Sequence, residues 1–149
     1  TRESLTGDVV IVGGGLVGLD VAEVLSTTAD RVTIIEKRSR AGTVLEWNLR
    51  KMRLASLRHY GVNMMLQSQL IRCERSAVMV CNPSGDEERI QADVLVLALG
   101  SVPDNPLPQL AEALSYPQTF IGDCRNPAGL TEALSQGRSA GRMNISHNA

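Results

Sequence analysis

Val9-Val10-Ile11-Val12 runs straight into Gly13-Gly14-Gly15, and Gly18 follows inside an apolar helical pattern. No other feature limits the fold as much. Four β-branched apolar residues in a row leave no polar face, so this strand is buried on both sides, as in a covered parallel sheet. The glycines force a tight turn. Leu16 to about Ser26 reads as a helix with Leu19, Val21, Ala22 and Leu25 on its apolar side. Thr28-Ala29-Asp30 ends it, and Arg31 to Glu36 is a second buried strand. Strand, turn, helix and strand within about 30 residues make a βαβ unit.

The pattern then changes twice. A polar loop, Lys37 to Thr43, leads to a helix from about Val44 to Tyr60. Leu45, Leu49 and Met52 mark its apolar face, and Gly61 is a C-terminal cap. Val62 to Leu66 is a third strand. From Gln69 the period falls to two, so Leu70–Glu74, Ala77–Asn82 and Glu87–Ala92 are expected as an antiparallel meander. Asp93 to Ala98 is another strand, fully apolar from Val94 on, and ends at Gly100. After the proline-rich loop from Val102 to Pro108 come a short helix near Gln109–Leu114, a strand at Thr119–Ile121 and a helix from Leu130 to Ile145. The expected fold is α/β: a Rossmann-like parallel sheet with helices on both faces, plus a three-stranded antiparallel meander.

Composition narrows the partners. The 149 residues carry a net charge of −1, with 43% apolar and 21% charged residues. Such a balance provides no field for nucleic acid or an acidic membrane, and no apolar run reaches a membrane span. The polar start, Thr1-Arg2-Glu3-Ser4, is not a signal peptide, and the lack of an initiating Met suggests a piece of something longer. Three cysteines, Cys73, Cys81 and Cys124, and two histidines provide no disulfide framework, redox pair or metal set. Free thiols suggest a reducing compartment, the cytoplasm.

Gly13, Gly15 and Gly18 form GxGxxG in the context that motif requires, after a buried strand and opening a helix. Gly13 permits the sharp turn, Gly15 lets backbone approach a pyrophosphate, and Gly18 lets helix and strand pack closely. The helix that opens at Leu16 and Val17 offers unpaired N–H groups and a positive dipole end to the anion. No Lys-Ser or Lys-Thr follows, so this is not a nucleoside-triphosphate loop. Glu36 ends the second strand, 18 residues beyond Gly18. There its carboxylate can accept hydrogen bonds from adenosine ribose hydroxyls. A dinucleotide site is expected. FAD-binding versions usually continue from the acid to a Gly-Gly pair, and here only Gly42 of such a pair is present. A carboxylate at Glu36 repels a 2′-phosphate, which favours NADH. Lys37, Arg38 and Arg40 follow directly, and such cations accommodate a 2′-phosphate, so NADPH stays open.

The segments VVIVGGGLVGLDVAEVL, VTIIEK, DVLVLALGSVPDN and FIGDC, with the Ala133–Gly141 pattern after them, resemble the C-terminal region of old-yellow-enzyme-like NADH:flavin oxidoreductases. This group includes 2-enoate and 2,4-dienoyl-CoA reductases, and trimethylamine dehydrogenase is a relative. The resemblance runs from about Leu5 to Ile145. It implies an NAD(P)H domain over residues 1–105, and over residues 106–149 a linker and the segment that closes an FAD domain. Partners would be the remaining FAD domain and an FMN-bearing (β/α)8 barrel with an iron–sulfur cluster on the parent chain. By the same resemblance Asp20 lies near the nicotinamide and Gly100 lies where the last NAD-domain strand meets cofactor. Gly122-Asp123 would provide the carboxylate that accepts from the FAD ribitol. The family's Arg in the loop after Gly100 is Val102 here, which removes one expected phosphate contact.

The expected function is placement of NADH for hydride transfer to a flavin held mainly by other domains. Two other readings stand beside it: a vestigial or ADP-type structural scaffold, and FAD at the Gly13 turn. Cys73 and Cys81 fall on neighbouring strands where they can face each other, though core or half-buried thiols are the simpler reading. His59 is read as a C-terminal charge on its helix, and Trp47 as packing or a contact to another domain. Thr119–Ile121 is expected to add beside Val94–Ala98, making a five-stranded parallel core.

Overall fold

The computed structural model describes residues 5–104 and 119–145. It divides into two compact units, Thr1–Gly100 and Ser101–Ala149.

The first unit holds a four-stranded parallel sheet. Its strands are β1 (Asp8–Val12), β2 (Arg31–Glu36), β3 (Asn63–Leu66) and β7 (Val94–Leu97), in the order β3-β2-β1-β7. In register, Val9 to Val12 face Val32 to Ile35 on one side and Val94 to Leu97 on the other. The alternation of the pleat sends side chains to two separate cores. Val9, Ile11, Val32 and Ile34 pack with Leu19, Ala22 and Leu25 of α1 (Leu16–Leu25) and with Leu54 and Leu57 of α2 (Trp47–His59). Val10, Val12 and Ile35 point the other way, onto Val78, Val80 and Ala92. Val78 and Val80 belong to the central strand of a second, antiparallel sheet, β4 (Gln69–Cys73), β5 (Ala77–Cys81) and β6 (Glu87–Gln91).

The α/β class, the parallel sheet and the meander are as expected. Within the first unit the two faces are covered differently. Among the described residues of the first unit, α1 and α2 both pack on one face, and β5 covers the other. Buried on both faces describes β1 correctly, but it does not say whether helix or sheet provides the cover.

Helix α2 also differs. It starts at Trp47, where the Glu46 carboxylate accepts from the N–H groups of Asn48 (2.9 Å) and Leu49 (3.2 Å). Leu49 and Met52, expected inside, are 51% and 71% exposed. The inward stripe is Arg50, Arg53, Leu54 and Leu57, with both arginines half-buried. Two helical registers compete in this sequence, and the one carrying Leu54 and Leu57 prevails. Gly61 caps the helix as expected: its N–H donates to Arg58 O, and that of Val62 to Leu57 O, both at 3.0 Å. This is the Schellman pattern, with Gly61 at φ +76°.

The cysteines of the meander do not face each other. Cys73 lies opposite Val78 and Cys81 opposite Gln69, at opposite ends of the β4–β5 ladder. Cys73 is exposed rather than in a core. No helix of the described residues is long and apolar enough to cross a membrane.

Among its described residues, the second unit contains a 3-10 turn (Gly122–Cys124) and helix α3 (Leu130–Ile145). The expected strand at Thr119–Ile121 is absent. Ile121 is extended (φ −135°, ψ 157°), but the segment pairs with no strand among the described residues. Among the described residues the parallel sheet therefore has four strands, and the expected fifth is not one of them. Extended backbone becomes a strand only with a ladder partner. The expected helix at Gln109–Leu114 and the loop from Asn105 lie outside the described residues.

Candidate functional site

The connection from β1 runs to β2 on one side of the sheet, while β7 pairs on the other. Ligands of open α/β sheets sit at such a switch point, outside the carboxyl ends of the strands. The glycine turn stands there. Gly13 continues the ladder for one residue, its N–H donating to Ile35 O at 2.8 Å. It has φ +111°, and a Cβ there would overlap the Ala98 carbonyl oxygen. Gly18 abuts the Gly13 carbonyl in the same manner. Both glycines are thus demanded by packing between β1, β7 and α1.

Gly15 is different. Its φ is −74°, and a Cβ built on it meets nothing within 4 Å. As N-cap of α1 it provides no side-chain hydrogen bond, and the first turn carries no acidic residue. Among the described residues, the first-turn N–H groups of Leu16, Val17 and Gly18 are therefore left for an external acceptor. Leu16 and Val17 are themselves exposed. A space that a Cβ would fill, beside an uncapped helix start, fits a pyrophosphate.

Glu36, 8% exposed, closes the carboxyl end of β2. Its Oε2 accepts from Gly14 N–H at 2.7 Å and its Oε1 from Arg38 N–H at 2.8 Å. A carboxylate has about four lone-pair positions, so about two remain for ribose hydroxyls. The loop 37–43 is sewn to the turn. Gly42 N–H donates to Gly14 O at 2.7 Å, and Arg50 Nε donates to Ala41 O at 2.6 Å. Lys37, Arg38 and Arg40 stay exposed at the outer side of this loop, with Arg38 Nη1 3.4 Å from Thr43 Oγ1.

The structure thus brings Gly13, Gly15, Leu16, Val17, Gly18, Glu36, Lys37 and Arg38 to one end of the first unit. Asp20 lies one turn along α1, half exposed, and its partner is Arg53 of α2, whose Nη2 also bonds Glu23 Oε2 at 2.7 Å. Gly100 (φ +92°) ends the first unit and is exposed. In the second unit, Gly122 (φ +71°) donates its N–H to Gln136 Oε1 at 2.7 Å. Asp123 is exposed, with Oδ1 3.4 Å from Ala128 N. Trp47 is exposed under Lys51 Nζ, 5.5 Å from its ring centroid.

Sequence reasoning missed Gly14, Ala41 and Arg50. Gly14 had a signal in the triple glycine: an added Cβ would stand 2.9 Å from Ala41 Cβ and 3.1 Å from Glu36 Cβ. Arg50 had none, because the helical register of α2 was read from Leu45, Leu49 and Met52.

Residues 1–137 match the family pattern described as pyridine nucleotide-disulphide oxidoreductase. Bilirubin reductase of Mediterraneibacter gnavus is 27% identical over 143 residues, covering 95% of this chain and 22% of the relative. NADH oxidase of Thermoanaerobacter brockii is 28% identical over 131 residues, 87% of this chain and 20% of the relative. Among solved structures, 6-hydroxypseudooxynicotine amine oxidase from Pseudomonas geniculata N1 has a TM-score of 0.77 at 22% identity, over 91% of this chain and 22% of that one. That last likeness is one of fold. The chain spans about a fifth of the length of these relatives. By its match over residues 1–137, the chain belongs to the pyridine nucleotide-disulphide oxidoreductase family of flavin-dependent redox proteins.

Proposed function

We propose that the chain binds NADH at the Gly13–Gly18 turn and presents it to a flavin held mainly by polypeptide outside this chain. The observation that carries the reading is the Glu36 carboxylate, buried beside the open Gly15 and pinned by Gly14 and Arg38 with acceptor capacity to spare. Gly15 and the N–H groups of Leu16, Val17 and Gly18 would receive the pyrophosphate, and Glu36 the adenosine ribose. Bound NADH supplies a hydride. This chain's residues contribute binding and orientation, not proton or hydride chemistry. The buried negative charge at Glu36 opposes a 2′-phosphate, so NADH is preferred although Lys37 and Arg38 stand close in sequence.

Residues 1–105 would be the NAD(P)H domain, with Asp20 and Gly100 on its nicotinamide side. Residues 106–149 would close an FAD site through Gly122 and Asp123. The parent is proposed to be an old-yellow-enzyme-like reductase of the 2-enoate and 2,4-dienoyl-CoA type, with FMN and an iron–sulfur cluster on further domains, in the cytoplasm. Reductase and oxidase names among the relatives support a redox parent. The test is calorimetric titration of the full chain with NADH, NADPH and ADP-ribose. NADH and ADP-ribose are expected to bind, and NADPH more weakly. Absence of all binding would reject the reading.

A further inference from the structure

The inward stripe of α2 places Arg50 half-buried, on the face shared with Leu54 and Leu57. A buried polar head is costly unless it is hydrogen-bonded. The bond it makes is specific: Nε donates to the carbonyl of Ala41, a residue only 2% exposed, at 2.6 Å. The next residue, Gly42 (φ +64°), donates to Gly14 O at 2.7 Å, and Gly14 donates to Glu36 Oε2, also at 2.7 Å. Packing follows the same path. A Cβ on Gly42 would lie 3.0 Å from Leu19 Cδ1 and 3.6 Å from Arg50 Cγ. Three hydrogen bonds therefore run in series from α2, through the loop, to the glycine turn and the carboxylate. Among the described residues, Arg50 is the side chain through which α2 hydrogen-bonds this loop.

We propose that Arg50 is a positioning residue for the adenosine end of the nucleotide. Through Ala41 it fixes the loop 37–43, and through Gly42 and Gly14 it fixes the Glu36 carboxylate. The inference rests on the proposed binding of NADH at this turn. Arg50 does not touch the nucleotide in this role. It holds the frame in which Glu36 and the N–H groups of the turn are already aimed, so that their ordering is not charged against binding.

The test compares Arg50→Met, which keeps the aliphatic stem without a donor, with Arg50→Lys, which keeps a cationic donor. Titrations of the full chain with NADH and with ADP-ribose are expected to weaken about tenfold for Arg50→Met and to stay within about threefold for Arg50→Lys. Without nucleotide, amide exchange at Gly42 should quicken in Arg50→Met, while Val78 and Val80 in the meander keep their protection. Unchanged NADH affinity in Arg50→Met overturns the proposal alone. A folded Arg50→Lys chain that loses NADH also overturns it, since the donor is retained. If the unmodified chain binds neither NADH nor ADP-ribose, the nucleotide reading fails and this proposal fails with it.

Discussion

The α-carbon of Gly18 lies against the carbonyl oxygen of Gly13, so closely that a Cβ at Gly18 would overlap that oxygen. One turn of α1 thus rests directly on the turn that precedes it. The obstacle is backbone, held in place by the Gly13 N–H bond to Ile35, so it cannot rotate away as a side chain would. Gly18→Ala is expected to destabilise the chain by about 2 kcal/mol or more, read from urea unfolding. NADH affinity should fall with it, because relief of the overlap moves the turn itself. A variant of unaltered stability would contradict this packing.

Gly15→Ala should behave in the opposite way. Its backbone lies where any L-residue fits, and the added methyl meets no protein atom. Stability should change by less than about 0.5 kcal/mol. Nucleotide affinity should drop more than about tenfold, because the methyl takes the space proposed for the pyrophosphate. Retained NADH binding by Gly15→Ala would place the nucleotide elsewhere.

Glu36 serves structure and ligand together, and substitution can separate the two. In Glu36→Gln one oxygen becomes an NH2 group that faces either the Gly14 or the Arg38 N–H, donor against donor. The cost is about 1–3 kcal/mol without any nucleotide present. Removing the charge also removes repulsion of a 2′-phosphate, so the ratio of NADPH to NADH affinity should rise about tenfold. Calorimetry with both nucleotides reads the ratio. An unmoved ratio would mean that Glu36 does not face the ribose.

The glycine turn was legible because Gly13 and Gly18 answer steric demands that spacing encodes, while Gly15 keeps its spacing but meets no protein atom. The βαβ unit was legible because a strand buried on both faces has no alternation to mislead. The meander was found to within about one residue at each end, since the turn residues Arg75-Ser76 and Pro83 to Asp86 mark where its strands stop. What failed were features decided by a partner in space. Helix α2 contains two apolar registers, and only the docked sheet selects Leu54 and Leu57 over Leu49 and Met52. Ile121 is extended as read, yet a strand needs a neighbour that a local pattern does not show. Arg50 hides for the same reason, as a cation in an inward stripe whose purpose is a carbonyl nine residues back.

Gly61 isolates backbone strain from packing. It holds φ +76°, and nothing lies within 4 Å of the Cβ an alanine would add. Gly61→Ala should therefore cost about 1 kcal/mol from conformation alone. Gly61→Asn, which tolerates this region better, should cost less. Urea midpoints of the two variants give the comparison, and an equal loss in both would point to packing instead.

Arg53 sits between Asp20 and Glu23 with its Nε buried and unpaired. Two effects oppose each other here. The ion pairs are weak, because both carboxylates are about half exposed and pairs of that kind contribute about 0–1 kcal/mol. The unpaired Nε–H costs stability in return. Arg53→Met keeps the stem, removes the orphan donor and leaves two carboxylates three residues apart, a repulsion of about 0.2–0.5 kcal/mol. The net change is expected to lie within about 1 kcal/mol of zero. Its salt dependence is the sharper readout. The benefit of the ion pairs should shrink as salt screens them, so the unmodified chain loses its advantage over Arg53→Met between about 0.05 and 0.5 M NaCl. A loss above about 3 kcal/mol, insensitive to salt, would show instead that Arg53 is a buried charge whose partners are essential to the fold.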